Sequence, residues 1–538
     1  MKKRKDRSPI RLRAYLTLLA LIMLLAFGGH TIAHVSGKAE YVAAAGRQSL
    51  YRLDVAGSRG TIYDCRLRPL TGTTSRWAAA VAPTIESIGA IETATYGRIR
   101  DRLALALEDG KPFTLELEKP IEHQCIDCFP VPKRYSESQL CPHVIGYLDG
   151  MGRGASGVEL CMDDALSLYS GQLTVYYQVD ALGRAIAGAE RLTENSLEYT
   201  AGGVAVTIDR DIQLLCEQAS EGLGKGAVVV TEVPNCEIRA LVSLPGFRQD
   251  KIDEAARDPA SPLLNRAFSA YAPGSVFKLV TAAAALEEGS VLRTFDCTGS
   301  INAGGLMFHC YDGLPHGRID LQGAISKSCN GYFISTARAL GGQPVLSMAY
   351  DLGLGEGQEF GRGLFSSEGS LPDITGLQNF RALANFSFGQ GDLTVTPLQM
   401  CGVINAIASG GEYRSPKLIA GTVSGDRKLT EASPVSQVSR TAMSSRTAKL
   451  LQQYLTAAAK DGTGTKAAPD NCVSGIKTGT AQTGVYEDGH ELLNFWYCGF
   501  VGDSSGPRYC ITVLREGAAD SGSAGEVFKK IGEGLMGE

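Results

Sequence analysis

The chain has 538 residues, a formal net charge of −5, 44% hydrophobic residues and 20% charged residues. That length exceeds one ordinary domain and sets an expectation of two or three, with enough apolar residues for a substantial core. The acidic balance, with no basic stripe beyond the first residues, excludes a nucleic-acid binder.

In chain order, Lys2, Lys3, Arg4, Lys5, Arg7, Arg11 and Arg13 precede an uncharged run from Ala14 to Gly29 that continues uncharged to Ser36. Such a run reaches the ~20 residues a membrane span needs. A basic flank before an apolar core places the N-terminus in the cytoplasm and the remainder outside. A cleaved signal peptide has a similar pattern. No small-x-small site directly follows the apolar run, so an uncleaved anchor over residues 14–35 is expected, behind a cytoplasmic tail of residues 1–13. Ser58-Arg59-Gly60-Thr61-Ile62-Tyr63-Asp64 follows, then a mixed region with a helix-like run over Ser87–Glu108 and Gly-rich turns at Gly150–Gly157. Nothing between residues 85 and 205 has the pattern of an acid, base or metal constellation, and the region reads as a spacer or docking module.

The 14 cysteines are even in number, which permits disulfides without proving them. Cys125-x-x-Cys128, with His123, Cys141 and His143 nearby, contains zinc-ligand residue types but matches no recognised spacing. A structural or free-thiol role is expected there. Cys297 and Cys310 flank a Gly-rich loop and are candidates to pair. Cys329 reads as a small apolar filler rather than a catalytic thiol.

From Gly202 onward the pattern changes. Val204–Ile208 reads as a strand and Asp209–Leu223 has apolar residues at helical spacing. Gly226–Val230 and Ile238–Ser243 read as paired strands around Pro234-Asn235. Tyr271-Ala272-Pro273-Gly274 breaks the chain, and Ser275 opens an Ala-rich run to Leu286 that reads as a buried helix. Near the end, Val473–Gln482, Phe495–Val501 and Arg508–Leu514 read as three consecutive strands, and Ala524–Met536 as a closing helix. Helices between early and late strands imply an α+β domain with an antiparallel sheet.

Three short patterns in this region carry chemistry. Ser275-Val276-Phe277-Lys278 puts a hydroxyl and an amine three residues apart, on one side of a helix. Serine needs a neighbour to take its proton. A lysine can do so only if burial or a second cation lowers its ordinary pKa of about 10.4. Amides of the first helical turn can stabilise an oxyanion. Ser328-Cys329-Asn330 offers a second hydroxyl and an amide that both donates and accepts. Lys477-Thr478-Gly479-Thr480 lies in a strand-like run, where Lys477 can serve as the second cation and Thr478 and Lys477 can hold a carboxylate. Gly479 is expected to let a substrate backbone approach, and the amide of Thr480 to be a second oxyanion donor. Each pattern alone is weak: Ser-x-x-Lys arises about twice by chance in such a chain. Alone, they read as a core helix, a helix cap and an edge strand. In this order they form the set known from β-lactamases and penicillin-binding proteins.

The chain resembles the class B penicillin-binding proteins, monofunctional peptidoglycan D,D-transpeptidases, over nearly its whole length. Residues Ser58–Asp64 are similar to the Arg-Gly-x-Ile-x-Asp signature, and Gly154-Ala155-Ser156-Gly157-Val158-Glu159 to a Gly-x-x-Gly-x-Glu motif. Asn265-Arg266 with Pro273–Lys278, Gly389-Gln390-Gly391 with Thr396-Pro397-Leu398-Gln399, Gly462-Thr463-Gly464, Lys477–Gln482 and Trp496-x-x-Gly499-Phe500 complete the likeness. Cys65-Arg66-Leu67 departs from the Arg-Asn-Gly usual after the first signature.

The resemblance implies a penicillin-binding transpeptidase fold, an antiparallel sheet with helices on both sides, over residues 203–538. A membrane anchor and an elongated non-catalytic pedestal or dimerisation domain (36–202) precede it. It implies Ser275 as nucleophile, Lys278 as general base, Ser328 and Lys477 as proton relays and Asn330 aligning the donor peptide. Thr478, Gly479 and Thr480 form the substrate-binding strand. No cofactor and no metal are expected. Implied partners are peptidoglycan stem peptides, β-lactam antibiotics, the membrane, and a membrane glycan polymerase with other cell-wall synthesis proteins. The implied location is the bacterial cell membrane, single-pass, with the catalytic domain extracytoplasmic. A D,D-carboxypeptidase or β-lactamase would lack the Ser58–Asp64 region, and a non-catalytic scaffold would tolerate loss of the catalytic residues, none of which is lost. A bifunctional enzyme is set aside because no acidic glycosyltransferase-like run follows the anchor.

Overall fold

The computed structural model describes residues 8–197, 201–433 and 435–537; residues 1–7 of the expected cytoplasmic tail lie outside the described residues. Helix Ser8–Gln48 carries the uncharged run, and its Arg11–Ser36 portion is long and apolar enough to cross a membrane. At ~1.5 Å per residue, those 26 residues extend about 39 Å, more than the ~30 Å hydrocarbon core. One N-terminal apolar helix therefore fits a single-pass anchor.

The chain divides into two compact units. The smaller comprises residues 1–57, 75–132 and 171–198. It holds two three-stranded sheets, one centred on Gly171–Gln178 and one on Thr74–Val81. The helix-like run at 87–108 is two helices, Ile85–Ala94 and Arg100–Asp109, because Tyr96 and Gly97 both take left-handed backbone between them.

The larger unit comprises residues 58–74, 133–170 and 199–538. Segments 58–74 and 133–170 therefore pack with the C-terminal part of the chain, although they precede residue 203. The reason is strand pairing, and buried charges then tie the two segments to each other. Thr61–Tyr63 runs parallel to Gly203–Val206 in a four-stranded sheet. Arg59 is buried with Glu159 (Nε–Oε2 2.9 Å) and Asp163 (Nη2–Oδ1 2.6 Å), while Arg134 Nε and Tyr135 Oη donate to the second Glu159 oxygen at 2.7 and 2.9 Å. Thus the two signatures around Arg59 and Glu159, far apart in sequence, form one buried network. Removing Arg59 leaves buried Glu159 with Arg134 as its one remaining cation and strips Asp163 of its ion-pair partner. Arg59→Ala is expected to cost about 3 kcal/mol, read as a lowered unfolding midpoint in denaturant; an unchanged midpoint would contradict it.

The centre of this unit is a five-stranded antiparallel sheet. Helix α1 (Arg210–Ala219), capped by the Asp209 side chain, precedes strands β1 (Gly226–Glu232) and β2 (Glu237–Leu244). Helices α2 (Lys278–Glu287), α3 (Asn330–Leu340), α4 (Pro397–Ala408) and α5 (Ser445–Asp461) intervene before strands β3 (Val473–Glu487), β4 (His490–Asp503) and β5 (Gly506–Ala518). Helix α6 (Ala524–Met536) closes the chain. The sheet order is β2-β1-β5-β4-β3, which leaves β3 at an edge.

Successive residues of a strand face opposite sides, and both sides here are apolar. Val228, Val230, Ile511 and Val513 pack with α1 and α6, whereas Ala227, Val229, Cys510 and Leu514 pack on the side of α4. Helix α4 is buried along its whole length, held at its start by a reciprocal Thr396–Gln399 capping box. This is the expected antiparallel sheet with helices on both sides.

Candidate active site

The Pro273-Gly274 break does not begin a regular α-helix. It starts a tight turn, Gly274–Phe277, that runs directly into α2. Gly274 has φ +55°, and a side chain there would fall 2.3 Å from the carbonyl oxygen of Thr480. Gly274 N donates to Gly389 O at 2.9 Å, and a side chain on Gly389 would strike Gly274 O at 1.9 Å. The Ser275 turn is thus clamped between β3 and the Gly389-Gln390-Gly391 segment, with no space for either glycine to carry a Cβ.

Lys278 and Lys477 have no exposed surface, and neither has a carboxylate ion-pair partner among the described residues. Lys278 Nζ lies 2.9 Å from Ser275 Oγ, 3.1 Å from Ser328 Oγ, 2.7 Å from Ser328 O and 2.6 Å from Asn330 Oδ1. Lys477 Nζ lies 3.0 Å from the same Ser328 Oγ and 2.7 Å from Thr478 O. A continuous path therefore runs from Ser275 through Lys278 and Ser328 to Lys477. Burial lowers the Lys278 pKa to about 7. Burial, then the neighbouring Lys278 charge, pushes Lys477 well below the ordinary lysine range. An amine near neutrality can accept a proton at working pH.

Asn330 begins α3, and its Nδ2 donates to His309 O at 2.7 Å while its Oδ1 faces Lys278. Both ends of the amide are therefore fixed. Ser328 takes a left-handed backbone (φ +54°), uncommon for a residue with a Cβ. That conformation turns the chain between helix Leu321–Ser326 and α3, where Ser328 meets both lysines.

On β3, Thr478 and Thr480 are half-buried, and Thr478 Oγ1 donates to Thr463 Oγ1 at 2.7 Å. Thr463 was visible in sequence only as the centre of Gly462-Thr463-Gly464; its contact with Thr478 depends on tertiary packing. Gly479 is also a packing position. A side chain there would meet Pro273 O and Val276 Cγ1, each at 3.0 Å. The glycine admits the Pro273–Val276 turn against the strand. Trp496 on β4 fixes the same turn by donating from Nε1 to Ala272 O at 3.0 Å.

All the proposed catalytic side chains (Ser275, Lys278, Ser328, Asn330 and Lys477) meet in one hydrogen-bonded cluster, with the Thr478–Thr480 segment beside it. Cys297 and Cys310 do not pair: their sulfurs are 3.7 Å apart, and every cysteine is free. Cys125 and Cys128 contact their own loop, Cys125 N donating to His123 Nδ1 and Cys128 Sγ facing Ile121.

Residues 226–533 match the penicillin binding protein transpeptidase domain. The chain belongs to the class B penicillin-binding protein family. It is 29% identical over 434 residues to penicillin-binding protein PbpB of Mycobacterium tuberculosis, covering 75% of this chain and 61% of that relative. It is 31% identical over 363 residues to peptidoglycan D,D-transpeptidase PbpA of the same species, covering 62% of this chain and 72% of PbpA. Stage V sporulation protein D of Bacillus subtilis is 28% identical over 393 residues, covering 69% and 57%. The match thus spans less than two thirds of the length of PbpB. Among solved structures, a ceftriaxone acyl-enzyme complex of M. tuberculosis penicillin-binding protein A superposes with a TM-score of 0.56 at 29% identity, covering 63% of this chain and 81% of that one. M. tuberculosis penicillin-binding protein 3 with aztreonam shares the fold, with a TM-score of 0.65 at 24% identity over 90% and 97% of the two chains. This class B penicillin-binding protein carries its cluster in the matched region.

Proposed function

We propose that the chain is a serine-type peptidoglycan D,D-transpeptidase. Ser275 Oγ bonds to the carbonyl carbon of the penultimate D-Ala of a stem peptide, and its proton passes to Lys278 Nζ. The tetrahedral oxyanion is held by the amides of Ser275 and Thr480. The C–N bond then breaks. The proton moves through Ser328 Oγ and Lys477 to the departing D-Ala nitrogen, leaving an ester on Ser275. An amine from a neighbouring strand attacks that ester, forms the cross-linking amide and restores the serine. Asn330 aligns the donor backbone, and Thr478 and Thr480, backed by Lys477, hold its terminal carboxylate. The observation that carries this reading is the unbroken path of 2.9, 3.1 and 3.0 Å from Ser275 through Lys278 and Ser328 to Lys477. A β-lactam ring opened by the same attack keeps its leaving nitrogen tethered, so the ester persists.

The same reading assigns residues 14–35 as anchor, 36–202 as non-catalytic pedestal and 203–538 as the catalytic domain, held outside the cytoplasm in a bacterial cell membrane. A membrane glycan polymerase is the expected neighbour. The test uses a D-Ala-D-Ala-terminated donor peptide and a stem peptide bearing a free side-chain amine. Release of D-Ala with a matching yield of cross-linked product is expected. Release with hydrolysis alone would make the protein a carboxypeptidase, and no turnover of peptide or penicillin would make it a scaffold.

A further inference from the structure

Beside the catalytic cluster, Cys297, Cys310, His316 and Cys329 bring three Sγ atoms and one imidazole nitrogen within 4.8 Å of one another. Cys297 Sγ lies 3.7 Å from Cys310 Sγ and 3.4 Å from His316 Nδ1, and Cys310 Sγ lies 3.8 Å from Cys329 Sγ. A tetrahedral zinc, with Zn–S near 2.3 Å and Zn–N near 2.05 Å, separates its sulfurs by roughly 3.8 Å and a sulfur from a nitrogen by roughly 3.5 Å. The three spacings match edges of that tetrahedron, and the other ligand atoms lie within 4.8 Å of one another. A disulfide would instead bring two sulfurs to about 2.05 Å.

We propose that these four side chains bind one zinc ion, a site that the family's serine chemistry does not require and that goes beyond the transpeptidase reading. Three cysteines are buried, at 3%, 3% and 0% exposure, and His316 is half-buried at the rim. Four protein ligands leave no open position for water or substrate, so the ion is structural. Soft thiolates with one imidazole select zinc over the hard divalent ions. Cys329 caps the N-terminus of α3, its Sγ accepting from Tyr332 N at 3.5 Å.

The site ties four separate elements to the catalytic turn. Cys297 ends strand Phe295–Cys297, which pairs with Gly317–Ile319 just after His316. Cys310 follows the hairpin Ser300–Ala303/Leu306–His309. Cys329 lies between Ser328 and Asn330, and His309, next to Cys310, accepts from Asn330 Nδ2. The ion therefore holds the left-handed Ser328 backbone and the Asn330 amide in place; its ligands are positioning residues, not catalytic ones.

The test uses the full chain purified in detergent after growth with zinc. Elemental analysis is expected to give about one zinc per chain, and cobalt(II) exchange to give thiolate-to-cobalt absorption bands. Cys310→Ser should lose the ion. His316→Asn, at the half-buried rim, should remain folded and bind zinc at least ~10-fold more weakly, whereas Cys125→Ser should keep full occupancy. Stripping the ion with a chelator should slow penicillin acylation at least ~10-fold, and zinc should restore it. Less than about a tenth of a zinc per chain without cobalt–thiolate bands, or full occupancy in both site variants, would overturn the site. Unchanged acylation after complete stripping would overturn the positioning role. Metal content is read without any acylation, so failure of this site and failure of the transpeptidase reading are distinguishable.

Discussion

Ser275→Ala is expected to abolish covalent penicillin labelling and to lower cross-linking turnover by at least ~10⁴-fold, the scale seen when a catalytic serine is removed. Fluorescent penicillin followed by denaturing electrophoresis reads the first, and D-Ala release reads the second. The substitution removes one half-buried oxygen from a turn otherwise held by backbone contacts to Gly389 and β3, so the unfolding midpoint should stay nearly unchanged. That combination separates a missing nucleophile from a broken fold. Labelling that persists in the variant would place the nucleophile elsewhere.

Lys278→Met is expected to lower the acylation rate by ~10²- to 10⁴-fold, the usual range for a lost general base. Methionine fills much of the same volume, and Lys278 has no ion-pair partner to orphan, so the fold should tolerate it. The wild-type rate should also titrate. Burial lowers the Lys278 pKa to about 7. Below that value Nζ is protonated and has no lone pair to accept the Ser275 proton; above it the amine is free. Acylation should therefore rise with pH through about 7 and then level, and the variant should lose that limb. Stopped-flow acylation across the range measures it. A rate flat through pH 7, or a variant as fast as the wild type, would contradict Lys278 as the base.

Local pattern carried much of this molecule. The closing helix occupies the range expected of it, Ala524–Met536, and the five strands of the central sheet appear where their β-branched runs predicted, though the last three are longer. Long hairpin strands extend past their apolar cores because pairing, not composition, sustains their ends, Tyr486 opposite Glu491 and Glu487 opposite His490. What local pattern missed was non-local. The break at Tyr96–Gly97 needs left-handed backbone at a tyrosine, which periodicity does not signal. Segments 58–74 and 133–170 join the C-terminal part through a parallel strand pair, the Arg68–Asp209 ion pair and the Cys141 N–Glu217 hydrogen bond, and join each other through Arg59 and Glu159, contacts invisible to a scan along the chain.

The candidate catalytic residues were legible as residue types in one order, and the fold brings them into one hydrogen-bonded cluster. Their supports were not. Gly479 could be recognised, but the Pro273–Val276 turn that forbids its Cβ is distant in sequence. Thr463 and Trp496 act through contacts with Thr478 and Ala272 that only folding creates. The cysteine cluster was missed for the same reason. Its ligands come from four elements with no compact ligand pair between them, so Cys297 and Cys310 looked like disulfide partners and Cys329 like filler.

The central claim is that Ser275, activated by Lys278, forms the acyl-enzyme. Intact-mass measurement of the full chain after incubation with benzylpenicillin, followed by proteolysis and peptide sequencing by mass spectrometry, tests it most directly. One adduct per chain is expected, on the peptide containing Ser275 and on that serine alone. An adduct on another residue, or an unmodified chain that retains its fold, would contradict the account.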